Sequence, residues 1–210
     1  MRTRIKICGI TSAHDAQSAA RAGADAIGLV FYPPSPRHVD IERACAIAAS
    51  APPFIDRVAL FVDPTATEVE AILRALPIEI LQFHGDEEPR FCASFGKPYL
   101  KAARVGAELD LLEYLSPYQS AAAWLLDSYQ PNKVGGTGAA FDWSLISPVS
   151  SSLARPMVLS GGLDAGNVVA GIRLLRPWAV DVSSGVERSK GVKDANKIAA
   201  FVAGVRHADQ

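Results

Sequence analysis

Eight short apolar runs, each followed by a stretch of helical periodicity, constrain this chain more than any other feature of its sequence. The runs lie near residues 4–8 (RIKIC), 25–31 (DAIGLVF), 57–63 (RVALFVD), 78–84 (IEILQFH), 98–103 (PYLKAA), 123–127 (AWLLD), 156–160 (PMVLS) and 179–183 (AVDVS). They read as near-continuous apolar segments, the pattern of strands buried on both faces of a parallel sheet. Between them AHDAQSAARAG, IERACAIAAS, ATEVEAILRAL and NVVAGIRLL read as amphipathic helices, and DANKIAAFVAGVRH follows the last run as another. Ser12 with Asp15 and Thr65 with Glu68 have capping-box spacing, while Gly23 and Gly96 stand where helices end in the left-handed conformation. Eight such units predict an α/β fold, a closed (β/α)8 barrel in a single domain over residues 1–210. That length is near the small end, about 200 residues, for such barrels. A doubly wound open sheet is the alternative, and it ordinarily has fewer strands.

Charge and cysteine usage narrow the function classes. Twenty-one Lys and Arg balance 22 Asp and Glu for a net charge of −1, so no broad footprint for nucleic acid or anionic lipid is expected. No apolar run approaches the ~20 residues of a membrane helix, and the MRTRIKICGIT start lacks the apolar centre of a secretory signal. Cys8, Cys45 and Cys92 cannot all pair, their spacing fits no zinc site, and the four histidines are scattered. The expectation is a cytoplasmic protein with reduced thiols, no metal and no cofactor.

In a barrel, chemistry gathers at the C-terminal ends of the strands. There the sequence places Cys8, Arg37 (in FYPPSPRHV), Asp63, Gln82 and His84 (in QFHG) and Asp127. Glycine and serine clusters follow the last three strands: GGTG with Gly136 and Gly138, then Gly161 and Gly162, then Ser183, Ser184 and Gly185. One glycine ordinarily serves a tight turn, but three clusters at adjacent strand ends let backbone N–H groups surround a phosphate. A lone cysteine is ordinarily an inert buried hydrophobe, which is how Cys45 and Cys92 read. Cys8 differs by position. Strand alternation turns Ile5 and Ile7 one way, Lys6 and Cys8 the other. With the isoleucines facing the helices, Lys6 and Cys8 point into the barrel, where the ammonium favours the thiolate. The same parity turns Asp181 and Ser183 inward from the eighth strand, so Asp181 is the expected partner of Lys6. Asp127 is either a loop cap or, facing Cys8, half of an acid–base pair. That pair, without a helper histidine near the cysteine, points to proton shuffling on a phosphorylated small molecule: isomerisation, epimerisation or elimination. Arg37 is either a surface arginine or a fork for a substrate carboxylate. His84 reads as structural or, with Gln82, as support for the site, and Trp143 reads as core packing.

Taken together, KICGIT, FYPPSPRHV, LFVD, LQFHGDE, LLDS with GGTGAAFDW, LSGGL, VDVSSGVE and GVKDANKI resemble phosphoribosylanthranilate isomerase, in order from residue 4 to about 201. KICG, the DS–GGTG–FDW series and DVSSGVE are the most specific. Asp63 and Phe83 depart from the family's frequent Asn and Leu, and neither is the proposed acid or base. The resemblance implies an Amadori rearrangement of N-(5-phosphoribosyl)anthranilate in tryptophan biosynthesis, without a cofactor. It implies Cys8 as general base, Asp127 as general acid and Arg37 on the substrate carboxylate. The backbone of Gly136, Gly138, Gly161, Gly162, Ser183 and Ser184 would hold the phosphate. The family includes monomers and homodimers. Competing readings are a histidine-pathway aminoaldose isomerase, which uses two aspartates, indole-glycerol-phosphate synthase, which relies on lysine and glutamate, and a non-catalytic phosphosugar-binding barrel.

Overall fold

The computed structural model describes residues 2–106, 108–128, 143–146 and 152–210. Eight parallel strands hydrogen-bond in sequence order, and the eighth pairs back onto the first to close a barrel. They are β1 (Arg4–Ile7), β2 (Ala26–Val30), β3 (Asp56–Phe61), β4 (Ile80–Phe83), β5 (Tyr99–Val105), β6 (Ala123–Ser128), β7 (Met157–Leu159) and β8 (Ala179–Val182). Each coincides with one of the eight apolar runs. The helices are α1 (Ala13–Ala22), α2 (Ile41–Ser50), α3 (Ala66–Ala75), α4 (Pro89–Ala93), α5 (Leu111–Leu115), α6 (Val168–Leu175) and α7 (Ala195–Ala208). Between β6 and β7 the described residues form a 3₁₀ turn, Trp143–Leu145. Gly136 and Gly138 lie outside the described residues.

Local signals explain the helix ends. Thr65 and Glu68 cap α3 reciprocally, whereas Ser12 accepts from the Asp15 N–H without the return bond. Gly23 ends α1 at φ 96°, a conformation with little cost only for a residue lacking Cβ. The five-residue α4 is not legible from periodicity. It is seated by aromatic packing, with the Phe91 and Phe95 rings 5.8 and 6.1 Å from Phe83.

Strand parity divides the core into two layers. Ile5, Ile7, Ile27, Leu29, Phe61, Phe83, Leu126 and Val180 pack outward against the helices. Leu100, Ala102, Ala123, Leu125, Val158 and Ala179 fill the barrel interior. Above them Cys8 packs with Val30 and Leu60 in a separate interior cluster. The apolar floor thus leaves the polar residues of the same parity at the C-terminal ends. Beyond β8, Glu187–Ser189 (β9) and Val192–Lys193 (β10) form an antiparallel hairpin that the sequence reading does not anticipate. Among the described residues no helix is long and apolar enough to cross a membrane.

Candidate active site

The corner around Cys8 is built by the closure of the barrel. Lys6 stands in register with Asp181 across the β1–β8 seam, and Lys6 Nζ lies 2.9 Å from Asp181 Oδ1. Both are buried, as is Cys8. Burial pushes the Cys8 thiol above its ordinary range, while Lys6 and Lys193 pull the other way and Asp181 adds to the rise. The expected help from Lys6 is therefore present, but burial outweighs it. Burial works against the Lys6 ammonium, yet Asp181 and Cys8 together hold its pKa above the ordinary lysine value. Space for the thiol comes from Gly28 on the neighbouring strand, where an added Cβ would meet Cys8 Sγ at 2.7 Å and Lys6 Cε at 3.2 Å. Gly28→Val therefore displaces both side chains. With Cys8 in its expected role of general base, kcat/KM should fall by about ten-fold or more, since such catalysis depends on hydrogen-bond reach. A steady-state assay beside thermal unfolding checks this; parental kcat/KM would contradict the packing.

The corner around Asp127 is built by β6 and the end of β4. His84 Nε2 is 3.0 Å from Asp127 Oδ2, and Gln82 Nε2 is 3.1 Å from His84 Nδ1. All three are buried, so the histidine joins the site rather than standing apart from it. The loop bearing His84 is clamped from outside the barrel. Lys101 Nζ donates to the Gly85 carbonyl at 2.5 Å and to Glu87 Oε2 at 2.8 Å, and the Gly85 and Asp63 N–H groups donate to the same Glu87 carboxylate. Asp63, at the end of its strand, also accepts from the Asp86 N–H at 2.7 Å.

At the mouth, Arg37 is buried rather than on the surface. Glu187 takes its Nε at 2.7 Å and its Nη2 at 2.9 Å, a two-pronged pair that fixes the guanidinium plane. Lys193 Nζ reaches the same carboxylate at 2.9 Å and the Ser183 carbonyl at 3.0 Å. Burial lowers the Lys193 pKa, with Glu187 opposing. Glu187 opposes its own burial by accepting from Arg37 and Lys193, and its pKa is held down. Sequence reasoning misses Glu187 and Lys193 as site residues, although both stand in the motifs VSSGVE and GVKD. Their role depends on the β9–β10 hairpin, which folds them back over the barrel. Two cations around one carboxylate leave a net positive charge beside Cys8.

The loops after β7 and β8 carry the glycines and serines expected to face a phosphate. Gly161 and Gly162 have φ of 81° and 67°, and Asn167 Nδ2 donates to the Gly162 carbonyl at 2.8 Å. Ser183 leads into the 3₁₀ turn Ser184–Val186. At Gly185 a Cβ would stand 2.0 Å from the Leu163 carbonyl oxygen, so the loops after β7 and β8 approach as closely as backbone allows. The structure thus brings Cys8, Lys6 and Asp181 together on one side, Gln82, His84 and Asp127 on another, and Arg37 with Ser183 at the rim.

Residues 5–204 match the family described as N-(5'phosphoribosyl)anthranilate (PRA) isomerase. A protein of that name from Dechloromonas aromatica is 53% identical over 210 residues, covering 100% of this chain and 99% of its own. One from Thiobacillus denitrificans is 52% identical over 202 residues, covering 96% and 97%. Among solved structures, the phosphoribosyl anthranilate isomerase from Thermotoga maritima superposes with a TM-score of 0.90 at 39% identity, over 98% of this chain and 99% of that one. A related structure holds reduced 1-(o-carboxyphenylamino)-1-deoxyribulose 5-phosphate and superposes with a TM-score of 0.87 at 38% identity, with 98% and 99% coverage. With this fold, these strand-end residues and this likeness over nearly the full chain, the protein belongs to the phosphoribosylanthranilate isomerase family.

Proposed function

We propose that this protein converts N-(5-phosphoribosyl)anthranilate into 1-(2-carboxyphenylamino)-1-deoxyribulose 5-phosphate, the aldose-to-ketose step of tryptophan biosynthesis. The observation that carries the assignment of roles is the burial of Cys8 and Asp127 on inward parity at the C-terminal ends of β1 and β6, each tied into its own polar cluster. Asp127 gives its proton to the ribose ring oxygen; the C1–O bond breaks and a Schiff base forms with the anilino nitrogen. The Cys8 thiolate then takes the C2 proton, and the electron pair moves to leave an enolamine. Tautomerisation of the enolamine gives the ketone. The sum is an isomerisation, with no atom gained or lost. Lys6, held by Asp181, supplies positive charge beside the thiolate, and His84 with Gln82 holds Asp127. Backbone groups of Gly136, Gly138, Gly161, Gly162, Ser183 and Ser184 receive the phosphate. The protein works as one barrel domain, monomeric or homodimeric, in the cytoplasm.

Arg37 binds the anthranilate carboxylate in this reading, its guanidinium plane set by Glu187. A charge-assisted hydrogen bond contributes about 1.5–3 kcal/mol, so Arg37→Met should raise KM by roughly 10–100-fold. An unchanged KM would remove Arg37 from the substrate. The reaction itself is tested by its product. Incubation with freshly made substrate should yield a compound of the same mass that borohydride reduces at a ketone. A product lighter by loss of free anthranilate would show hydrolysis instead, and would sink the proposal.

A further inference from the structure

We infer that Lys193 is a positioning residue that serves both anion-binding ends of the site at once: it steadies Arg37 through Glu187, and it turns the donors of Ser183 and Ser184 toward the phosphate. The inference rests on the proposed roles of Arg37 and of the loop after β8.

The Lys193 side chain is wholly shielded from solvent, and its ammonium meets three acceptors. Nζ lies 2.9 Å from Glu187 Oε1, 3.0 Å from the Ser183 carbonyl oxygen and 3.4 Å from Ser183 Oγ. An ammonium has three hydrogens, so all of them are engaged within the protein. Lys193 therefore acts on a substrate through its neighbours. The hairpin fixes it there. Lys193 stands in register with Glu187 across β9 and β10, and Thr11 Oγ1 donates to the Gly191 carbonyl over 2.6 Å. A Cβ at Gly191 would come within 2.6 Å of the Pro36 carbonyl oxygen, so the hairpin turn lies hard against the residue before Arg37.

Each contact orients a different end. Glu187 Oε1 accepts from Lys193 and, at 2.7 Å, from Arg37 Nε, while Oε2 takes Arg37 Nη2 at 2.9 Å. The ammonium thus pins the carboxylate that sets the guanidinium plane. At the other end, an ammonium can only donate, so Ser183 Oγ accepts and its own O–H turns away from Nζ. The Ser183 C=O and the Ser184 N–H belong to one trans peptide and point in opposite directions. Holding that C=O on Nζ turns the Ser184 N–H away from Nζ as well. The two ends stand close together: a Cβ at Gly9 would meet Arg37 Cδ at 2.5 Å and Ser183 Oγ at 3.0 Å.

Two small probes read the two ends separately: anthranilate, by its fluorescence, and inorganic phosphate, by ³¹P NMR. Lys193→Met leaves Glu187 paired with Arg37 in a neutral pair, so the variant should fold. Both dissociation constants should rise by about five-fold or more, as for the loss of one hydrogen bond at each end. A residue that serves folding alone would lower the urea midpoint and leave both constants parental, and that result would overturn the inference. So would a rise for one probe only. The double variant Lys193→Met with Glu187→Gln returns the net charge of the cluster to its parental value. Phosphate should stay as weakly bound there as in Lys193→Met. Recovery of parental phosphate affinity would show that Lys193 acts by charge alone, and would also overturn the inference. Where Lys193→Met does not fold, the double variant read against the parent carries the same test. A parent that binds both probes without isomerase activity would sink the functional proposal alone. An active parent whose Lys193→Met variant keeps either probe would sink this inference alone.

Discussion

Cys8→Ala and Asp127→Asn should each lower kcat/KM by about 10²–10⁴, the range that a positioned general base or acid supplies. The alanine removes only a sulfur beside Val30 and Leu60, so the barrel keeps its packing and the loss is chemical. The asparagine keeps the shape of the carboxylate and can still accept from His84, but it has no proton of comparable acidity to give. Cys8→Ser should fail as well, because a hydroxyl ionises far less readily than a thiol. The pH dependence follows from the environment of the thiol. The thiolate is the basic form, and burial moves its pKa above the ordinary value of about 8.5. The part of the kcat/KM profile that reports Cys8 therefore rises with pH and extends to the alkaline side of that value. Profiles of kcat/KM for the parent and both variants check this. Near-parental turnover in either variant would reject that residue's role.

Asp181→Leu should cost about 3–5 kcal/mol of folding stability, because it leaves the Lys6 ammonium buried without its carboxylate. The cost arises from the unpaired charge rather than from the pair's own strength. Two buried ions gain little over well-packed apolar side chains of similar size. The double variant Lys6→Met with Asp181→Leu should therefore recover much of the stability. It should not recover activity, since Cys8 loses the ammonium that opposes its burial. Urea unfolding and kcat/KM measured on the three proteins separate the two effects. A stable and fully active Asp181→Leu would deny the pair any role. A double variant that regains activity along with stability would show that Lys6 serves folding only.

Arg37→Met and Gly28→Val test the remaining corners. Some of these corners are legible in the sequence and others are hidden. Period-two alternation along RIKIC is enough to turn Lys6 and Cys8 inward, and the closure of eight strands is enough to put Asp181 beside Lys6. Both inferences need only strand geometry, which is local and regular. The cluster around Arg37 is hidden because Glu187 reaches it, and Lys193 reaches Glu187, through a hairpin after the eighth strand, and a two-residue β10 leaves no periodic trace. The His84–Asp127 contact is hidden for another reason. His84 follows β4 and Asp127 stands on β6, with β5 between them, and the imidazole spans the gap. Sequence also overstates the effect of Lys6 on the thiol, because the sign of a neighbouring charge is readable from sequence and the depth of burial is not. The glycines split the same way. Gly161 and Gly162 stand out as a pair, whereas Gly28 is a single glycine in a strand whose purpose emerges only when Cys8 is seen against it.

The central claim is that this barrel isomerises phosphoribosylanthranilate with Cys8 as its base. The most direct measurement is the change in anthranilate fluorescence when freshly made substrate meets the purified protein, with Cys8→Ala in a parallel cuvette. Decay well above the spontaneous rate in the parent, and close to the spontaneous rate in the variant, is the predicted result. Decay at the spontaneous rate in both would contradict the substrate assignment, and equal fast decay in both would contradict the base.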